Sequence, residues 1–538
     1  MTIDKESAAR AISEGQTSLG IEFGSTRIKA VLVNTANEIL AVGTSDWESK
    51  QIDGVWTYTM EQIHGGLQAC YRALCADVDE RYGVPITSVG YLGFSALMHG
   101  YLAFDEAGSL LVPFRTYRNT MTGEASAELT KRFGITIPQR WSVAHLYQAV
   151  LNDEEHVSRL TSMTTLAGYA HRLLSGENIL GIGDASGMFP IDDATRQYDE
   201  RCVAIFDELV AHRGYPWKVT DLLPIIKCAG EDAGCLTAEG AAILDPSGVL
   251  QPGARMCPPE GDAGTGMVAT NSVAVSTGNI SVGTSVFAMV VLDKPLTSSH
   301  EELDPVTTPA GDPVAMVHCI NGTGILDAIV KVFVNFAELI GTDKKKGELY
   351  DLLYEHALTG DPDGSQMVAF NYLAGEHVTK VDEGRPLMYC TSDSTISLAN
   401  VMRVNMMSLF ASLRIGMDIL TEEEGVHIEH FLAHGGIFKT PIAPQRILAA
   451  ALNRRIVVSE GAGEGGAWGI AMLANYLRPE YAGKMDLAQY LKETVFNDVE
   501  ETVLEPDPAD VAGYTTFIER YRAGLDVEAS ALRALPKE

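Results

Sequence analysis

The chain has 538 residues, of which 40 are Lys or Arg and 71 are Asp or Glu, for a net charge of −31. So acidic a surface repels nucleic acid and anionic membrane, and neither is an expected partner. The length exceeds one ordinary domain, and 46% hydrophobic residues suffice for large cores, which excludes a disordered or fibrous chain.

The opening MTIDKESAARAISEG carries charge and no apolar core, so no signal peptide is expected there. The best apolar run, 286–292, falls far short of a bilayer span. Eight cysteines without CxxC spacing read as reduced thiols. A cytoplasmic protein is expected.

In chain order, residues 19–21 lead through a Gly24-Ser25-Thr26 turn into 28–33 and then 38–42, a β-meander. Thr59 and Gln62 have capping-box spacing ahead of a helix on which Ile63, Leu67, Cys70, Leu74 and Val78 share one face. A strand at 89–94 follows. Strands, a covering helix and another strand predict an α/β layer architecture. The pattern recurs mid-chain, where 273–276 leads to 280–282, the turn Gly283-Thr284-Ser285, and 286–292. Two copies of one α/β unit are the economical reading. The boundary is placed between 1–260 and 261–538, where Pro258-Pro259 and a Gly-rich run interrupt the pattern. Beyond it come a long helix over 396–420, a strand at 427–433 ending in Gly435-Gly436, a strand at 456–459 and a helix at 468–476. An amphipathic helix from about 515 closes the chain.

Three segments suggest chemistry. A turn of Gly, Ser and Thr lets backbone N–H groups and hydroxyls close around a phosphate, although each turn alone suits an ordinary hairpin. In Gly261-Asp262-Ala263-Gly264-Thr265-Gly266, a lone acid among minimal side chains can take the proton of a hydroxyl attacking a phosphoryl group. Asp before small residues also starts helices well, so an N-cap is the plain alternative. The run Gly461 to Gly466 satisfies GxGxxG, yet 478–484 is no strand, so a nicotinamide dinucleotide site is set aside. Walker A, GxSxG and HExxH patterns are absent from the sequence.

Taken in order, these segments resemble the FGGY family of carbohydrate kinases, within the actin/Hsp70/sugar-kinase superfamily, from about residue 18 to 476. Residues 18–33 resemble its first phosphate motif, Met98-His99-Gly100 its sugar-site Gln-Met-His-Gly, and 113–122 its Trp-Asn-Asp-x-Arg segment. Residues 184–192 resemble its Asp-Ala-Ser-Gly stretch, Gly261-Asp262 its catalytic-base motif and 281–285 its second phosphate motif. Asn371 to Glu376 is similar to Pro-Tyr-Leu-x-Gly-Glu-Arg, and 431–437 with 461–471 to the adenosine segments.

The resemblance implies two ribonuclease-H-like (actin-like ATPase) domains facing across a cleft, with ATP, Mg2+ and a sugar between them. Asp262 would be the catalytic base. Gly24, Ser25, Thr26 and Lys29, with Gly283, Thr284 and Ser285, would hold the phosphates, and Gly435, Gly436 and Ile437 the adenine. Met98, His99, Tyr117, Arg118 and Asn119, with Asp262, would meet the sugar, and Glu22 with Asp262 the metal. The chain departs from the family at Glu22 (usually Asp), Leu97 (Gln), Asn119 and Met121 (Asp and Arg), His434 (Gly) and His377 (Arg). The nucleotide motifs hold better than the sugar motifs. The expected activity is phosphoryl transfer from MgATP to a ketose, first a pentulose such as xylulose or ribulose. Alternatives are another sugar, a deoxyketose, a polyol or an aldonate, or a nucleotide-gated binding protein without catalysis. A homodimer is the default oligomer.

Overall fold

The structure, a computed structural model, describes residues 4–459 and 465–535. Two compact units divide the chain: Met1–Val273, Pro305–Val314 and Gly461–Asp498 form one, and Ala274–Asp304, Ala315–Glu460 and Val499–Glu538 the other.

In the first unit, β1 (Ser18–Phe23), β2 (Arg27–Val33) and β3 (Ile39–Asp46) form an antiparallel meander. On the other side of β1 lies parallel β4 (Tyr91–Ala96), which also pairs with β5 (Arg255–Met256) and β6 (Glu260–Gly261). The order is β5-β4-β1-β2-β3, with β6 beside β4. Helix α1 (Met60–Tyr82) starts at the expected capping box and buries Ile63, Leu67, Cys70, Leu74 and Val78 in the core with Leu19, Ile21, Ile28 and Leu32. Each large apolar side chain so buried contributes about 1.5–3 kcal/mol. Ala467 and Ala471, on the Gly465–Tyr476 helix, pack against Val31 and Val33. The same helix packs along α2 (Asp262–Ala269).

In the second unit, β7 (Thr277–Val282) and β8 (Val286–Val291) form an antiparallel hairpin. The chain passes back to the first unit within β9 (Asp304–Thr307), and the sheet of the second unit adds β10 (Pro313–Cys319), β11 (His430–His434), β12 (Arg455–Ser459) and β13 (Glu501–Leu504), in the order β10-β8-β7-β11-β12-β13. Strand β11 lies parallel beside β7, as β4 does beside β1. A glycine-containing hairpin flanked by a parallel strand therefore occurs once in each unit.

Three boundaries differ from expectation. The break at 260/261 does not separate the units, because β6 pairs with β4 and α2 packs on the Gly465–Tyr476 helix. The chain leaves the first unit only after Val273 and returns to it twice. The single helix expected over 396–420 is two helices, Leu398–Leu409 and Ala411–Asp418, with Phe410 at φ −105° between them. That stretch is buried on nearly every face, so its periodicity carries no mark of the break. The closing helix begins at Pro508, capped by the Asp507 side chain, rather than near 515. All eight cysteines are free thiols.

Candidate active site

Asp262 is the first residue of α2. Gly261 occupies the N-cap without a side-chain bond, so the Asp262 carboxyl is not the cap that the plain alternative proposed. Its Oδ1 instead accepts the Met98 N–H at 3.1 Å. The carboxyl is accessible to solvent, while the protein packed around it raises its pKa to about 6 against the pull of the Met98 and Ala263 N–H groups. Beneath it, the Thr265 and Ser95 hydroxyls share a buried 2.8 Å hydrogen bond that ties α2 to β4.

Glu22, near the end of β1, stands opposite Lys29 on β2. Burial and the charge of Asp262 raise its pKa to about 7, opposed by Lys29 and by the N–H groups of Ala467 and Gly466. Its Oε2 accepts the Ala467 N–H at 3.1 Å, in the first turn of the Gly465–Tyr476 helix, where N–H groups lack helical partners. A Cβ at Gly466 would lie 2.5 Å from Glu22 Oε1 and 2.8 Å from Thr265 Oγ1, so any larger residue would have to displace those side chains. The rest of the predicted GxGxxG run, 461–464, lies outside the described residues.

The Gly24-Ser25-Thr26 turn joins β1 to β2. Tyr117 stands near it, its pKa raised by burial and by the charge of Asp262. Arg118 stacks on the Trp56 ring at 3.8 Å and donates from Nη1 to the Ser49 hydroxyl at 2.7 Å. Asn119 is placed otherwise than a sugar ligand would be. Its Oδ1 accepts the Trp56 N–H at 2.9 Å, and its Nδ2 donates to the Trp56 and Thr116 carbonyls at 2.8 and 3.0 Å. Its amide is thus committed to holding the strand Val55–Thr57. His99, at φ 71°, is buried, with Nδ1 3.3 Å from the Gly187 carbonyl.

Two buried acids lie beside this group: Glu260, which sequence reasoning missed, and Asp184, which it placed in a family motif without a site role. Glu260, immediately before Gly261, accepts the Gly183 and Asp184 N–H groups at 3.3 and 2.9 Å. Burial and then Asp184 hold its pKa well above the carboxylate range. Asp184 Oδ2 accepts the Thr165 hydroxyl at 2.6 Å, and burial lifts its pKa to about 7. The signal available was an acid flanking the Gly-Asp pair.

In the second unit, the Gly283-Thr284-Ser285 turn joins β7 to β8. The Thr323 and Gly322 N–H groups donate to the Gly283 and Thr284 carbonyls, both at 2.9 Å. Asn321, just before them, accepts the Leu373 and Ala374 N–H groups, and Glu376 accepts from Asn321. Gly435 has φ 129°, and a Cβ there would lie 2.0 Å from the Val282 carbonyl, so glycine is required where β11 ends beside β7. Gly436 faces open space, whereas the Ile437 side chain belongs to the core, leaving its backbone as the group a ligand could meet.

Residues 17–245 match the N-terminal domain of the FGGY family of carbohydrate kinases, and residues 278–478 match its C-terminal domain. Among solved structures, the xylulose kinase from Rhodospirillum rubrum superposes with a TM-score of 0.77 at 17% identity, covering 96% of this chain and 100% of that one. The gluconate kinase from Lactobacillus acidophilus gives 0.77 at 16% identity, covering 96% and 99%. The glycerol kinase from Plasmodium falciparum, solved with ADP, gives 0.70 at 14%, covering 97% and 99%. At these identities the likeness is one of fold, with two actin-like ATPase domains. No curated protein sequence matches the chain. Among the described residues, no helix is long and apolar enough to cross a membrane.

Proposed function

We propose, because the chain belongs to the FGGY family of carbohydrate kinases, that this phosphotransferase moves the γ-phosphoryl group of ATP to a hydroxyl of a ketose, first a pentulose such as xylulose or ribulose. The observation that carries the reading is Asp262. It is a carboxyl at the start of a helix, oriented by the Met98 N–H and open to solvent, with its pKa raised to about 6. Such a group is ionised at neutral pH yet basic enough to accept a proton as a sugar hydroxyl attacks phosphorus. The Met98 N–H orients the carboxyl through Oδ1.

The turns Gly24-Ser25-Thr26 and Gly283-Thr284-Ser285 are assigned to phosphate oxygens through backbone N–H groups and hydroxyls, with Lys29 on the first turn's side. Gly435, Gly436 and the Ile437 backbone are assigned to the adenine. Met98, His99, Tyr117 and Arg118 are assigned to the sugar, and Asn119 acts on it only through the Trp56 strand.

Magnesium fits the acids present. The charge of Asp262 adds to the cost of ionising Glu22, and Mg2+ needs only one or two carboxylates when phosphates and water complete its shell. Glu22 and Asp262 would hold it. When bound, it would neutralise charge on the phosphates. Among the described residues no cluster of three or more metal-ligating side chains occurs, so an all-protein site is not part of this reading.

One observation favours a second substrate class. Arg118, held flat on Trp56, has no carboxylate partner among the described residues of a chain with 71 acids. A guanidinium without a carboxylate partner suits an aldonate carboxylate. Coupled ADP release across pentuloses, hexuloses, deoxyketoses, polyols and aldonates tests both. Turnover with a pentulose supports the first class and turnover with an aldonate alone the second. No stimulation by any acceptor would leave a nucleotide-gated binding protein. The reading also includes a cytoplasmic homodimer, for which light scattering gives the oligomeric state.

A further inference from the structure

The first phosphate turn is held from behind by aromatic side chains. Trp47 Nε1 donates to the Gly24 carbonyl at 2.7 Å, and the Tyr58 hydroxyl donates to the Ser25 carbonyl at 2.6 Å. The Trp47 backbone N–H donates to the Thr26 carbonyl at 3.1 Å. All three carbonyls of the turn are thus taken by two residues. The two rings stack at 4.0 Å and 23°, and Phe23 packs 5.7 Å from Trp47, so the donors are held by a packed aromatic group. Trp47 and Tyr58 are 9% and 2% exposed, whereas Ser25 and Thr26 are exposed.

A peptide unit is planar and trans, so its N–H points opposite to its C=O. Fixing the Gly24 and Ser25 carbonyls toward Trp47 and Tyr58 therefore fixes the Ser25 and Thr26 N–H groups toward the other side. Among the described residues neither of these N–H groups meets a protein acceptor. Two unpaired backbone donors on the open side of an exposed turn can bind an anion. The second turn uses a different device. Its Gly283 and Thr284 carbonyls are taken by the backbone N–H groups of Thr323 and Gly322, which do not depend on a side-chain donor. In the first unit the orientation depends on an indole N–H and a phenol.

We propose that Trp47 and Tyr58 are positioning residues for phosphate binding, setting the direction of the Ser25 and Thr26 N–H groups without touching the nucleotide. The inference rests on the assignment of Gly24 to Thr26 to ATP phosphates. Losing one donor frees one peptide unit to rotate, and its N–H no longer converges on the anion.

The test uses Tyr58→Phe and Trp47→Phe in the full chain, each keeping an aromatic ring in the stack. Calorimetry without sugar gives the affinity for MgATP, and ligand-observed NMR that for adenosine, which carries no phosphate. The expected result is an affinity for MgATP lowered about tenfold in each variant, the size of one lost hydrogen bond. Adenosine affinity should stay within about twofold of the parent. Unchanged MgATP binding in both variants overturns the proposal. So does an equal loss for MgATP and adenosine, which is what a merely structural role produces. If one variant fails to fold, the other decides. Failure of the unaltered chain to bind MgATP would overturn the phosphate assignment and the inference with it, whereas tight parental binding that the variants share overturns the inference alone.

Discussion

The Glu22 carboxyl accepts the Ala467 N–H at 3.1 Å, tying the end of β1 to the first turn of a helix 445 residues later in the chain. That bond holds only while residue 466 has no side chain. A Cβ there would press on Glu22 Oε1 and Thr265 Oγ1 together. Gly466→Ala should therefore displace Glu22 and cost about 1–3 kcal/mol of stability. Thermal melts and the Mg2+ concentration for half-maximal turnover check this. A variant with parental values in both would show that Glu22 moves without consequence.

Asp262→Asn keeps the size of the side chain and an oxygen for the Met98 N–H while removing basicity. MgATP binding should persist, whereas kcat should fall by about two to four orders of magnitude, the usual worth of a general base. Calorimetry and coupled ADP release separate the two quantities. Turnover within a fewfold of the parent would remove the base assignment.

The local structure around the candidate site was legible in the sequence because its marks are local. Small residues between two apolar strands announced both turns, and Thr59 with Gln62 announced the start of α1. Asp262 stood out as an acid among glycines. What was not legible depends on contacts between distant segments. Trp47 and Tyr58 reach a turn more than twenty residues earlier, and nothing near them marks an aromatic as a donor to a carbonyl. Asn119 reads as a changed sugar ligand until its amide is seen spent on Trp56. The boundary at 260/261 followed a real break in pattern, but the return of the Gly465–Tyr476 helix to the first unit leaves no local trace.

Restoring the family's Asp at position 119 should harm this chain. Asn119 is 3% exposed, and its Nδ2 donates to two carbonyls. A carboxylate there offers no donor and sets negative charge against the Trp56 and Thr116 oxygens. Asn119→Asp should cost about 1–3 kcal/mol, the penalty of unpaired buried polar groups. Chemical denaturation followed by tryptophan fluorescence reads it. A variant as stable as the parent, with improved sugar turnover, would return Asn119 to the sugar site.

The raised carboxyl pKa values give activity and stability opposite dependences on pH. Asp262 must be ionised to act as a base, so kcat/KM should fall about tenfold per unit below pH 6 and level off above it. For stability, the folded chain holds the Asp262 proton up to about pH 6 and the Glu22 proton up to about pH 7, against ordinary carboxyl values of 3.8 and 4.5. Between about pH 4 and 7 the native state therefore binds more protons than the unfolded one, and these two groups make stability fall as pH rises. Mg2+ competes with those protons, so it should raise the melting temperature more at pH 8 than at pH 5. Glu22→Gln removes the Glu22 share of the decline, which spans about pH 4.5 to 7, and should flatten the parent's decline between pH 5 and 7. Melts of both proteins across that range, with and without Mg2+, decide it. A parent that gains stability relative to Glu22→Gln as pH rises would mean that Glu22 is ionised at low cost and that Asp262 is not opposing it.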